Sequence, residues 1–314
     1  MSSRIGFASL LVGAFLAGTT AQAAQLSLAA QSVMPQSTRQ VISINYHRLA
    51  ADPVAMQLEA RVLPPAMQGF EALLTRGGVN AAQDVNRLTF ATFENKSDIG
   101  LIGVVEGNFG EFKLDPFFKK TAKQPTPPQI DGVSVYNSNG LTFYVPDAST
   151  LIFGSLASVQ AAIATQQGGA TLAQNEPMSD MIAGTQSSDI WSVLDAAGSQ
   201  AMVQGMIGAK SGSFDASLIQ KHFDGARYTI AFANEIQVNL ELMTSDSLSA
   251  AAVSTALNAS LAMRQRQETN PAAKALLGAV QVDSAGSHAF LQLLTPASSL
   301  GSLMSSDLMQ SIVH

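Results

Sequence analysis

The chain has 314 residues and carries 17 Lys and Arg against 23 Asp and Glu, a formal net charge of −6 with only 13% charged side chains, about half the usual share. That balance argues against a nucleic-acid partner, because neutralising phosphates takes clustered Lys and Arg, and it leaves the polar surface to Ser, Thr, Gln and Asn. There is no cysteine, which removes disulfide staples and the lipid-bearing cysteine of a bacterial lipoprotein; at this length two ordinary domains bury enough surface without staples.

At the N-terminus Arg4 precedes the apolar run IGFASLLVGAFLAG, the pair Thr19 and Thr20 follows, and Ala21 and Ala23 stand at the small-residue positions before a cut. This is the pattern of a secretory signal peptide over residues 1–23, cleaved between Ala23 and Ala24, and it predicts a periplasmic or extracellular protein. The run is too short to span a bilayer comfortably, and no later apolar run reaches the length of about 18 residues that a membrane helix needs. The competing reading is an uncleaved N-terminal anchor.

Beyond the signal, VISINYHRL reads as a strand followed by a long helical stretch beginning near Asp52 and Pro53. Next, DVNRLTFATF (84–93) reads as the first strand of a hairpin, with the polar turn ENKSD and a partner strand in IGLIGVVEGNF. That partner is apolar on both faces, Ile99, Leu101 and Val105 against Ile102 and Val104, so it is expected to be deeply covered. EFKLDPFFKKTAK reads as a helix. VSVYN, LTFYV and TLIFG follow as strands, with turns at Asn139 and Gly140 and at Pro146 and Asp147, and GSLASVQAAIATQ closes the first half as a helix. The Gly, Gln and Pro content of QQGGATLAQNEP places a seam near Gly168 to Pro177.

The second half repeats the order. IWSVLDAAG precedes the helical AMVQGMIGAK, then DGARYTIAFA (224–233) echoes the earlier phrase: Asp84, Arg87, Leu88, Thr89, Phe90, Ala91 against Asp224, Arg227, Tyr228, Thr229, Ile230, Ala231. In the next strand Ile236, Val238, Leu240 and Leu242 alternate with Gln237, Asn239 and Glu241, the period of a strand with one wet face. A helix follows with Val253, Leu257 and Leu261 on one side, a cap at Asp246 or Ser247, and Arg264 and Arg266 at its negative end. AVQVD, a turn around Gly286, and HAFLQLL finish the unit. The expectation is an α+β fold made of two tandem modules, 24–170 and 171–314, each with a largely antiparallel sheet and helices on one face.

No residue set has the spacing of a known catalytic, cofactor or metal site, so none is assigned. His47, His222, His288 and His314 show neither helical zinc spacing nor clustered carboxylates. GAKSGS (208–213) is neither a nucleophile elbow nor a phosphate loop, and reads as a loop. Glu106, Glu111, Asp115 and Asp131 are numerous enough for a two-carboxylate site, but sequence proximity places no pair across a cleft. Lys113, Lys119, Lys120 and Lys123 flank Phe117 and Phe118; the plainer reading is a helix with one wet side, the sharper one attraction to anionic lipid or lipopolysaccharide. Trp191 reads as core, and Asn95 and Asn258 lie in glycosylation triplets that would be silent in a bacterial protein. The repeated Asp and Arg residues read as architectural.

The opening strand before Asp52 and Pro53, the phrase DVNRLTFATF and NGLTFYVPDASTLIFGSLASVQAAI together resemble a loose group of uncharacterised secreted or envelope proteins of Gram-negative soil bacteria. The resemblance implies export and no particular activity. The function expected is that of a non-enzymatic envelope protein, a binding or assembly component. The alternatives are a periplasmic hydrolase whose site is assembled from distant residues, or a lipid carrier with an apolar cavity. The partner classes left open are an apolar small molecule and another envelope protein.

Overall fold

The computed structural model describes residues 24–52, 55, 74, 79–96, 98–109, 128–138, 140–207, 222–232 and 235–299. In chain order these hold α1 (Leu28–Val33), β1 (Thr38–Ile44), α2 (Tyr46–Ala50), α3 (Ala81–Asp84), β2 (Val85–Asn95), β3 (Asp98–Gly107), β4 (Gln129–Ile130), β5 (Val133–Ser138), β6 (Leu141–Asp147) and β7 (Thr150–Gly154). There follow α4 (Leu156–Gln166), α5 (Glu176–Ala183), β8 (Ile190–Asp195), α6 (Ala196–Ile207), β9 (Phe223–Phe232), β10 (Glu235–Thr244), α7 (Ser247–Gln267), α8 (Pro271–Ala279), β11 (Gln281–Ala285) and β12 (His288–Pro296). The signal peptide, the stretch EFKLDPFFKKTAK with its lysines and Glu111 and Asp115, the loop GAKSGS and His314 lie outside the described residues.

The strands form one 12-stranded sheet in the order β11-β12-β10-β9-β8-β1-β2-β3-β7-β6-β5-β4, and every named pairing is antiparallel. The fold is therefore α+β with a large antiparallel sheet. Its two halves meet where β1 pairs β8, with Val41 opposite Val193 and Ile44 opposite Ile190. Each of these central strands runs into a helix through the same device. Asn45 ends β1 and accepts the Arg48 N–H at 3.3 Å to open α2, and Asp195 ends β8 and accepts the Gly198 N–H at 2.7 Å to open α6. Short polar side chains satisfy orphan helix donors at the moment the chain leaves the sheet.

The two faces of the sheet are covered differently. One face is apolar from end to end: Leu88, Phe90 and Val105 in the first half and Tyr228, Val238, Leu240 and Leu291 in the second join one buried cluster with Met202 and Val203 of α6 and Val253 and Leu257 of α7. The opposite face has its own cluster, in which Val41, Ala91, Phe93, Ile102, Val104 and Ile152 pack against Ala30 and Val33 of α1, Val159 and Ile163 of α4, and Met178 and Ile182 of α5. That second cover lies over the first half and the centre only. The expectation of helices on one face thus needs correction, because β3 is apolar on both faces and a second helical layer is needed to bury Ile102 and Val104, both fully enclosed. The expected deep cover of β3 is present there, although Ile99 and Leu101 at its start stay exposed.

The stretch 168–177 is tied down rather than loose. Leu172 is buried and its N–H reaches the Met34 carbonyl at 2.8 Å, and Asn175 donates to the Gln36 carbonyl at 2.9 Å while capping α5. Composition alone marks the turn-forming residues but not these partners, which come from the N-terminal end of the other half. The turn expected at Pro146 and Asp147 falls two residues later, since both residues belong to β6 and Asp147 accepts the Ser149 N–H at 2.7 Å. In α7 the expected cap is Asp246, which accepts the Ser249 N–H at 2.8 Å. Arg264 at the far end serves a neighbour, donating to the Met206 carbonyl at 2.7 Å and so stitching α7 to the end of α6.

Candidate functional site

On β9, β10 and β12 the face opposite the α7 side is mainly polar, with Phe290 and the exposed Leu294 of β12 among its apolar members. Pairing registers place its residues in rows across the strands: Thr229 opposite Asn239, Asn239 opposite Gln292, and Gln292 opposite Gln281 of β11. The adjacent row runs Arg227, Glu241, Phe290, Asp283. With strands about 4.8 Å apart, each row of four spans about 14 Å. Gln237, Gln281, Asp283 and Gln292 are exposed, and Thr229, Arg227, Asn239 and Phe290 are half-buried.

These rows floor a concavity of about 290 Å³ whose lining includes Thr229, Asn239, Glu241, Phe290 and Gln292, with Gly184 to Gln186, just past the end of α5, as its wall. Arg227 is fixed within it. Its Nε donates to Glu241 Oε2 at 2.6 Å, and a Cβ built on Gly184 would fall 2.5 Å from a guanidinium nitrogen, so glycine is what lets the side chain lie against the C-terminal end of α5. A cation there is favoured by the helix dipole. The other oxygen of Glu241 lies 2.6 Å from His288 Nδ1, where a proton on Nδ1 makes the imidazole the donor. His288 in turn stacks on Phe290, ring centroids 6.2 Å apart and planes 13° from parallel. Gln237 donates to its β10 neighbour Asn239, and across the neighbouring row Asn239 donates to Thr229, both at a long 3.4 Å. The amides are loosely pre-aligned and easily redirected to another partner.

On the buried side of the same strand, Tyr228 is enclosed, and burial pushes its hydroxyl up to about 12 despite an opposing hydrogen bond with Ser192. It remains a protonated structural group. Asp189 is also buried, with one oxygen accepting the Phe232 N–H at 2.7 Å and the other 2.9 Å from Arg48 Nε, a clip that joins β8, β9 and α2.

The sequence candidates are dispersed. His47 is exposed on α2, and His222 is exposed beside Ser245 at 3.1 Å. Glu106 in β3 and Asp131 in the β4–β5 turn are separated in the sheet by β7 and β6. Trp191 is core, as expected, and Asn258 donates to the Val282 carbonyl from α7. Among the described residues no group of three His, Asp or Glu could hold a metal ion, and no helix is long and apolar enough to cross a membrane. The repeated arginines diverge: Arg87 donates to the Gln25 carbonyl at 2.8 Å, while Arg227 enters the Glu241 pair. Of the open face, the wet-face alternation singled out Gln237, Asn239 and Glu241. His288, Phe290 and Gln292 were missed because their adjacency depends on the β10–β12 register, which no local pattern encodes.

Fold and surface together define a single antiparallel sheet with helices on both faces over one half and on one face over the other. No family model matches the chain, and no curated protein matches it. Among solved structures it is similar to TP0453: crystal form III superposes with a TM-score of 0.52 at 9% identity, covering 88% of this chain and 98% of that one. Form I gives a TM-score of 0.47 at 11% identity, covering 88% and 97%. The first of these is a likeness of fold alone.

Proposed function

We propose that this is an exported, non-enzymatic envelope protein that acts as a binding or assembly component, and that the open half of the sheet is its contact surface. The observation that carries the reading is the unequal cover: among the described residues one sheet face is sealed by α1, α4 and α5 in the first half and left open and mainly polar in the second. A sheet that needed only to fold would have no reason to hold a half-buried Arg–Glu–His chain and a ring pair on its bare face. Both oxygens of Glu241 are already engaged, by Arg227 and His288, which suits a positioning carboxylate better than a general base, whose free oxygen must reach a substrate proton. The parallel order of the halves, each a central strand, a helix and a hairpin, supports reading them as two copies of one module. Export rests on the N-terminal pattern ahead of Ala24.

The test is co-sedimentation with the isolated envelope fraction, after N-terminal peptide measurement has shown a start at Ala24. Retention is expected for the wild type and for Gln160→Ala, at an exposed position of α4, and loss for Phe290→Ala. Equal retention of all three, or a retained Met1, overturns the reading.

A further inference from the structure

We infer that the open face takes an uncharged, polyhydroxylated chain, a neutral glycan; this rests on the binding-surface reading above and names its ligand class. Three features of the surface lead there. The first is charge. Arg227 is neutralised by Glu241, whose second oxygen is held by His288, so the ionised groups of the concavity are engaged with one another, and the exposed Asp283 at the far end of the row on β11 lies outside its lining. The ligand that loses least on entering is neutral.

The second feature is the hydrogen-bonding inventory. Gln281, Gln292, Asn239 and Thr229 stand in one row over four strands. Each amide carries donors and an acceptor, and a hydroxyl both donates and accepts, so successive sugar hydroxyls find a complementary group whichever way they turn. An apolar ligand laid on the same row would strand these amides without water or partner, which disfavours it. The long 3.4 Å contacts that Asn239 makes with Thr229 across the row and with Gln237 along its strand are the sort that a ligand hydroxyl replaces at small cost.

The third feature is the ring pair. Phe290 sits in the middle of the second row, nearly parallel to His288, and offers an apolar plate beside the amides. A pyranose has the same division, a face of C–H bonds and a rim of hydroxyls, and stacks its C–H face on an aromatic plate while the rim is hydrogen-bonded. β9, β10 and β12, which carry Thr229, Asn239, Phe290 and Gln292, are each paired on both sides and β11 is the edge, so an added protein strand finds no backbone partners over the concavity itself.

The probes are maltohexaose, cellohexaose and chitohexaose, added singly to the full exported chain at concentrations up to the millimolar range, with the side-chain amide NMR signals and the dissociation constant as readouts. At least one is expected to shift the Asn239 and Gln292 amides. Phe290→Ala and Asn239→Ala should each weaken that hexasaccharide about tenfold or more while melting near the wild-type temperature, and Gln160→Ala should leave it unchanged. Three results overturn the inference: no shift with any of the three sugars, shifts mapping to another surface, or affinity unaltered in both face variants. Self-association of the wild type that Phe290→Ala abolishes would assign the face to a second copy of this chain and also overturn it. If the sugars fail while Phe290→Ala still releases the protein from the envelope fraction, the glycan falls and the binding surface stands. If that variant is retained as well, both fall.

Discussion

The two halves of the sheet share a strand order and one apolar face, and differ on the other face. In the first half Ala91, Phe93, Ile102, Val104 and Ile152 point into a helical cover; in the second, Thr229, Gln237, Asn239, Glu241 and Gln292 point at water or half-way to it. Apart from Ile99, Leu101 and Leu294, which stay exposed, residue type and cover go together in each half, since a bare row of isoleucines would aggregate and covered amides would lack partners. The difference teaches that one scaffold can be spent in two ways. The first half is a three-layer core that holds the N-terminal segment and the stretch 168–177, and the second is a two-layer platform with a face to spare.

The sharpest way to break that comparison is to exchange the residue types. Val104→Asn places an amide in the sealed cluster, where Val104 is fully buried, and is expected to cost about 3 kcal/mol. The converse change in the platform, Asn239→Val, should stay within about 0.5 kcal/mol. Chemical denaturation of the two variants checks both. Equal destabilisation would mean that the open face is covered in the protein in solution.

The repeated arginines give the next largest contrast. Arg227→Ala removes the partner of a carboxylate whose side chain is only 18% exposed, and should cost on the order of 1–2 kcal/mol. Arg87→Ala loses one bond to the Gln25 carbonyl at an exposed position and should cost about 0.5 kcal/mol. Thermal unfolding would show the ranking, and its reversal would return the weight to the first copy of the phrase. A smaller gain of stability is expected from Thr89→Val. The Thr89 hydroxyl is wholly buried with no hydrogen-bond partner among the described residues, so replacing it by a methyl of like shape should stabilise by up to about 1 kcal/mol, whereas Thr229→Val on the platform should give no such gain.

What was readable in the sequence follows from the range of each signal. The alternation from Ile236 to Leu242 fixed a strand with one wet face, the doubly apolar run from Ile99 to Val105 announced a strand covered on both sides, and Asp246 ahead of an alanine-rich segment gave the cap of α7. Each of these is a local pattern acting through local geometry. The joining of both halves into one sheet was not readable, because it depends on the pairing of Val41 with Val193, two short apolar strands that would fit many neighbours. The helices α5 and α8 were also missed. Composition puts Pro177 in the seam, yet Pro177 and Pro271 both sit in first turns, where a missing N–H costs nothing. The Arg227–Glu241–His288 chain needed the register of three strands at once, and so stayed hidden although all three residues were in view.

The last prediction tests whether the platform half depends on its single cover. Among the described residues α7 covers the sealed face of β10 and β12, and its first turn is held by Asp246. Hydrogen bonds from the Ser249 N–H, the Ser249 hydroxyl and the Ser245 hydroxyl draw the Asp246 carboxyl below its ordinary value, with a little help from the charge of His222 and slight opposition from desolvation. Since the folded-state value lies below the unfolded one, the cap contributes fully above the unfolded carboxylate range of about pH 4 and is lost as the pH falls through the lowered folded value. Acidification should therefore loosen the start of α7, and hydrogen exchange on the acid side should rise at Ala250 to Val253 before it rises at Val159 to Ile163 of α4, whose cap is the uncharged Ser155. Asp246→Asn keeps a capping oxygen and removes the titration, so exchange at Ala250 to Val253 should become indifferent to pH over that range after correction for the intrinsic rate. If α4 opened first, or if the Asn variant kept the acid response, the cap would not be what secures the platform, and the unequal cover of the two halves would have no consequence for their stability.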